Sequence, residues 1–184
     1  MKYIHISVAV LLACGLSACE TMQPANYSNF ADNTVALRMY PNAKVNVVAL
    51  SDQSMFDPSC RLVGPVKASG GRTIPQFVQD SYNDELKFAN LYSADQSAAK
   101  LNATLVSAKF SSSSGLTEGW WDFTVKLANP ANNRELTTSY KYDFHSGFAA
   151  EVACSNTSQA LTPAVQRLIN KSVTDPGFLA LIGP

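Results

Sequence analysis

The chain has 184 residues, with 14 Lys and Arg against 14 Asp and Glu and a formal net charge of zero. No basic stripe or Lys/Arg cluster is present, which argues against nucleic-acid binding. Hydrophobic residues make up 46% of the chain, enough for one domain with a real core.

The chain opens MKYIHISVAVLLACGLSAC. Lys2 and the amino terminus supply a positive start, Ile6 to Cys14 form a short apolar run, and small residues lead to Cys19. This is the three-part plan of a secretory signal peptide, and its apolar run is far shorter than the ~20 residues of a spanning helix. No second long apolar segment follows. Leu16-Ser17-Ala18-Cys19 resembles the lipobox of bacterial lipoproteins at all four positions. The resemblance implies cleavage after Ala18, so that residues 1–18 and Cys14 leave together, and it implies diacylglycerol on the Cys19 thiol and a fatty acid on its amino group. Two or more acyl chains anchor stably where one does not.

Residues 20–34 are polar and rich in Asn, Ser and Thr, and read as a tether. Residues 19–44 are therefore expected to be lipidated terminus and tether, and residues 45–184 the domain. Glu20 follows the lipidated position. In some bacteria an Asp there favours inner-membrane retention, so Glu20 points to the outer membrane, facing the periplasm.

Lys44 to Leu50 is Val-rich and predicts a strand, and Cys60 to Lys67 predicts a second short strand or edge piece, since Pro65 cannot donate to a ladder. Ala68 to Arg72 reads as a flexible loop. Thr73-Ile74-Pro75-Gln76 offers a capping box with Pro in the first turn. Ile74, Phe77, Val78, Tyr82, Leu86 and Ala89 then share one face of a helix that Asn90 can stop.

Three strands are expected next. Leu101 to Phe110 is mixed in pattern. Trp121, Phe123, Val125 and Leu127 alternate with Asp122, Thr124 and Lys126, and Leu136 to His145 alternate in the same way. Such alternation gives a sheet with one packed and one wet face, as antiparallel sheets have. Ser111 to Gly115 reads as a mobile loop and Asn129 to Arg134 as a hairpin. A last helix is expected from Thr162, because an earlier start near Ser155 would place Pro163 inside it. Asp175-Pro176-Gly177 ends it, and Phe178 to Ile182 form a tail expected to tuck back.

The fold class expected is α+β, a mainly antiparallel sheet with two amphipathic helices on one face. Cys60 and Cys154, the two cysteines beyond Cys19, read as one disulfide of an exported protein. Free thiols, a redox pair or a metal site are the alternatives, but neither cysteine has CxxC spacing, and two isolated thiols suit zinc poorly. The order of elements over residues 45–184 is similar to that of small periplasmic lipoproteins with a β-α-β-β-β-α core, such as the auxiliary lipoproteins of ABC-type transport systems. The features that carry the likeness are a capped helix ending in Asn90-Leu91-Tyr92, three strands with a long hairpin, and a helix introduced by Ala153-Cys154. It implies an accessory or assembly role and no reaction.

Catalytic chemistry is sparse. His145 is the one histidine outside the signal, and it shares a strand face with Asp143 and Lys141. That arrangement reads as a solvated face before it reads as a catalytic one. No GxSxG elbow occurs. Asp84 and Glu85 are adjacent on a helix and point about 100° apart, so they share no site. Gly70-Gly71-Arg72 lacks the remaining residues of a phosphate loop. Trp120 should point away from the core that takes Trp121, which makes it the candidate partner-binding residue. The reading is a non-catalytic envelope lipoprotein, with no cofactor or metal, that binds the membrane through Cys19 and a protein partner in a transport, assembly or cell-wall complex. The alternative is a ligand- or glycan-binding module using Trp120 and the loops around Ser111 and Gly70. A hydrolase would require His145 as its base.

Overall fold

The computed structural model describes residues 26–183. Residues 1–18, expected to be a signal peptide, and Cys19 and Glu20 lie outside this range. In chain order the elements are α1 (Ala31–Leu37), β1 (Val45–Asp52), β2 (Ser59–Cys60), β3 (Gly64–Pro65), α2 (Ile74–Phe88), β4 (Ala99–Ser114), β5 (Glu118–Asn129), β6 (Arg134–His145), α3 (Ala150–Val173) and α4 (Pro176–Ile182). The fold is α+β. One four-stranded sheet runs β1-β4-β5-β6, antiparallel except where β1 lies parallel to β4. A parallel neighbour needs a crossover, and α2 supplies it.

β5 shows why the sheet has two unlike faces. Its odd-numbered residues Trp121, Phe123, Val125 and Leu127 are buried beneath the helices, and its even-numbered residues face outward and are half-buried. α2 packs on β1, and α3 crosses β6, β5 and β4. Trp121 stacks on Phe123 with centroids 5.2 Å apart and packs on Phe110 at 5.0 Å. Its indole N–H donates to the Thr157 carbonyl of α3 at 2.9 Å, so the buried polar atom is satisfied. No element of the described chain covers the outer face.

α2 follows the sequence closely. Thr73 and Gln76 form the reciprocal capping box, and Asn90 takes the left-handed conformation that ends the helix (φ 62). The predicted face of Ile74, Phe77, Val78, Tyr82, Leu86 and Ala89 is buried.

Four expectations are corrected. The domain does not begin at residue 45, because α1 is folded against α2 and α3 and buries Asn33, Thr34 and Leu37. The physical reason is Glu85, whose buried carboxylate holds this polar segment. Residues Cys60 to Lys67 add no strand to the sheet. They form a two-residue hairpin pairing Ser59 with Pro65 and Cys60 with Gly64, turned by left-handed Arg61 and Leu62. Ser111 to Ser114 are not a loop but the end of β4, because Ser111 pairs with Trp120 and Ser114 with Glu118. α3 starts at Ala150 and runs through Pro163. An interior Pro costs about 3 kcal/mol. The first half of the helix offsets this by burying Ala153, Cys154, Thr157, Ala160 and Leu161. The expected tail is α4, whose Phe178 and Leu181 enter the core.

Candidate functional site

The outer face ends in a feature built around Trp120. β5 places Trp120 between Ser111 of β4 and Asp143 of β6, one residue from the wholly buried Trp121. Trp120 is half-buried, not fully exposed, and the Lys141 ammonium sits 5.5 Å from its ring centroid. Lys141 also pairs with Asp143 at 3.1 Å. Beside the indole lies an open groove of about 490 Å³ lined by Trp120, Met55, Asp57, Arg61, Lys109 and Ser111, among others. Hydrogen bonds from Ser59, its backbone N–H foremost, hold the Asp57 carboxyl below the usual carboxylate range. The groove therefore carries a fixed anion, two cations, serine hydroxyls and the aromatic residues Trp120 and Phe110.

Gly119 shows how tightly this corner is built. A Cβ there would lie 2.6 Å from the Phe144 ring and 2.8 Å from the Ser111 carbonyl, so only glycine fits before Trp120.

The disulfide closes the same end of the molecule. Cys60 and Cys154 are bonded, which links the β2–β3 hairpin to the first turns of α3. Arg61 completes the link. Its Nε donates to Ser112 Oγ at 3.0 Å and one terminal nitrogen donates to the Phe148 carbonyl at 3.1 Å. The other terminal nitrogen donates to the Ser112 carbonyl.

The remaining candidates are placed elsewhere. His145 Nδ1 lies 3.6 Å from Glu118 Oε1, with its side chain 72% exposed, so it meets a carboxylate rather than a hydroxyl or thiol. Gly70 and Gly71 lie in a short 3-10 turn with left-handed φ values of 69 and 73. The Arg72 that follows is taken up internally: it donates to the Ser69 carbonyl at 2.9 Å and to Ser69 Oγ at 2.7 Å, and lies 5.1 Å over the Phe77 ring. Among the described residues, no three His, Cys, Asp or Glu side chains gather as metal ligands.

Asp84 and Glu85 diverge as the helix geometry requires. Asp84 pairs with Lys87 at the surface, 3.0 Å away. Glu85 is wholly buried, and its Oε1 accepts from the Tyr27 hydroxyl at 2.6 Å, the Phe30 N–H at 2.9 Å and Asn33 Nδ2 at 3.1 Å. Burial first, and then the Glu85 charge, raise the Tyr27 pKa above the ordinary tyrosine value, which keeps its hydroxyl a donor. All three donors come from residues 27–33, at the start of the described chain. Sequence reading missed this cluster, because a Glu at a helix position three residues before Phe88 looks solvated until its partners are known. The signal available was Glu85's place on the apolar face, between Tyr82 and Ala89.

No protein-family model matches the chain, and no curated protein matches it. Among solved structures, the chain is similar to a protein of Caulobacter crescentus described as a "putative lipoprotein", at 14% identity and a TM-score of 0.43, over 84% of this chain and 99% of that one. It is also similar to rare lipoprotein B of Shewanella oneidensis, at 12% identity and a TM-score of 0.33, over 66% of this chain and 91% of that one. Superpositions this loose carry no functional statement to this chain.

Proposed function

We propose that this protein is a non-catalytic lipoprotein of the bacterial envelope, anchored through lipid on Cys19 at the periplasmic side of the outer membrane, whose domain works by contact with a protein partner. One observation carries the contact reading. The helices cover a single face of the sheet, and the other face lies open with Trp120 at its end. An aromatic flanked by Lys141, Arg61 and Asp57 offers apolar area and charge together, the composition of a binding hot spot. The Cys60–Cys154 bond agrees with an oxidising compartment.

The test is a photo-crosslinking residue at Trp120 in intact membranes, with one at Lys126, on the same face away from the groove, as control. A discrete adduct with one other protein at position 120 is expected. Recovery of the uncrosslinked chain alone from both positions overturns the partner reading. Replacing Cys19 by Ala tests the anchor: the chain should move to the soluble fraction, and a chain that stays on the membrane ends the lipid claim.

The groove itself favours a second reading. Its roughly 490 Å³, with an indole edge and hydroxyls, suit a sugar ring. Titration with cell-wall glycan fragments should then change tryptophan fluorescence in the native chain and not in Trp120→Phe.

A further inference from the structure

The sheet has two edges, and the chain finishes one of them. Over the first half of β1, the Val45 N–H donates to the Leu91 carbonyl at 2.9 Å, and the Val45 carbonyl accepts from the Ser93 N–H at 3.2 Å. The Val47 N–H donates to Asn83 Oδ1 at 2.9 Å, and the Val47 carbonyl accepts from Asn83 Nδ2 at 3.0 Å and Gln79 Nε2 at 3.1 Å. β6 is the other edge, and no strand of the described chain pairs with its far side.

The ladder decides which β6 residues face that edge. In an antiparallel pair, successive residues turn both N–H and C=O alternately toward and away from the neighbouring strand. The β5–β6 register runs without a shift from Asn129–Arg134 to Glu118–His145, and one step beyond it the Ser146 N–H donates to the Thr117 carbonyl. Even-numbered β6 residues therefore bond to β5, and odd-numbered Glu135 to His145 turn their backbone outward. Lys171 of α3 agrees with this, since its ammonium donates to the outward Ser139 carbonyl at 2.9 Å. That side chain is exposed and can swing aside.

The edge is long and undefended. β6 has 12 residues, no proline and no bulge, whereas the β1–β4 and β4–β5 pairings each carry register shifts. Such an edge is a template for another strand. Its helix side is also unfinished: Leu136, Tyr140, Tyr142 and Phe144 pack on the core yet stay only partly buried.

We infer that β6 pairs antiparallel with β6 of a second copy of this chain, about a two-fold axis at Thr138. Charge chooses both occupant and register. A symmetric pairing must oppose the outward-turned odd residues to one another. Centred on Ser139, it sets Glu135 against Asp143 of the second copy. Centred on Lys141, it sets lysine against lysine. Centred on Tyr140, it leaves Lys141 and Asp143 facing Ser139 and Thr137. Centred on Thr138, it sets Glu135 against Lys141 at both ends, with Thr137 against Ser139 between them. Opposite charges and hydroxyl pairs directly across antiparallel strands are favourable, and like charges are not. The Glu135 and Lys141 side chains are both exposed on the open face. Beneath them, Leu136 meets Tyr140 of the second copy, which covers part of the half-buried row. Lys141 thus guards the edge against an uncharged strand and favours one that brings a carboxylate. The inference rests on neither the anchor nor the Trp120 contact.

The experiment uses the mature chain with Cys19→Ser, alone in solution. Sedimentation should show monomer passing to dimer as concentration rises. A monomer up to ~100 μM overturns the proposal, and is the result expected if a different protein's strand fills the edge. Glu135→Lys and Lys141→Glu should each weaken the dimer about tenfold, because each turns two attractive pairs repulsive. The two changes together should restore it. A dimer indifferent to the single changes, or a double variant no better than either, overturns the pairing. Thr137→Pro should give a folded monomer, since its N–H points away from β5 and the proline removes no bond of the native ladder. If that variant unfolds, the charge exchange decides alone, with an unfolding curve for each variant to show that its fold is intact.

Discussion

Trp120 and Trp121 are neighbours on one strand and opposites in environment. Trp121 is wholly buried, stacked on Phe123 and Phe56, and bonded through its indole N–H to α3. Trp120 touches water, has the Lys141 ammonium over its ring, and borders a polar groove. The period of two along a strand places them so, and nothing in the residue type differs. The pair teaches that the inner face of this sheet does the work of folding, and that the outer face is free to serve contact.

The largest test of that contrast is Trp121→Ala. Removing a buried aromatic costs about 3–5 kcal/mol through lost transfer energy and the cavity left behind. The Thr157 carbonyl would also lose its indole donor. Thermal or urea unfolding of the mature chain should show this loss. A change below ~1 kcal/mol would mean that the inner face tolerates a void where the stacked aromatics make that least expected.

The next largest effect is expected from Cys60→Ser with Cys154→Ser. The bond spans 94 residues of sequence, and losing such a link from an exported domain costs about 2–5 kcal/mol. Here the β2–β3 hairpin should loosen beyond the stability loss, because Arg61's hydrogen bonds, the short pairing and buried Val66 remain to hold it without its covalent tie to α3. Amide hydrogen exchange across residues 59–66 of the double variant, measured well below its melting temperature, should quicken even where the fold is intact. Unchanged exchange there with lowered stability would mean that the hairpin is held without the bond.

The same contrast explains what was legible in the sequence. β5, β6 and α2 carry their own pattern: alternation in the strands, a capping box and a 3.6-residue face in the helix. Those elements appear where the pattern places them. α1 could not be read, because residues 26–37 owe their order to Glu85, a partner some fifty residues away that looks like a surface acid. The first half of α3 was hidden by Pro163, whose local penalty is outweighed by the burial of Cys154, Thr157 and Leu161 against the sheet. Ser111 to Ser114 look like a linker and become strand only through pairing with β5. For the site, the outward direction of Trp120 follows from alternation alone. The exposure of Leu62 and Phe148 does not, because it depends on which turns meet at one end of the sheet, and no local pattern records that.

The smallest stability effect and the sharpest functional one belong to Trp120→Ala. The variant loses a cation–π contact worth about 0.5–1 kcal/mol at an exposed site, together with partial burial. Its unfolding midpoint should therefore stay close to that of the native chain. Its crosslink to a partner from a probe at Lys109 or Asp143, the neighbouring positions on the outer face, should be lost. Trp120→Phe should keep part of it, since the ring remains. A Trp120→Ala chain that is as destabilised as Trp121→Ala would make the two tryptophans alike after all, and the outer face would then be part of the folding core. A chain both stable and still crosslinked would leave the outer face free but move the contact away from Trp120, toward the charged pairs of β6.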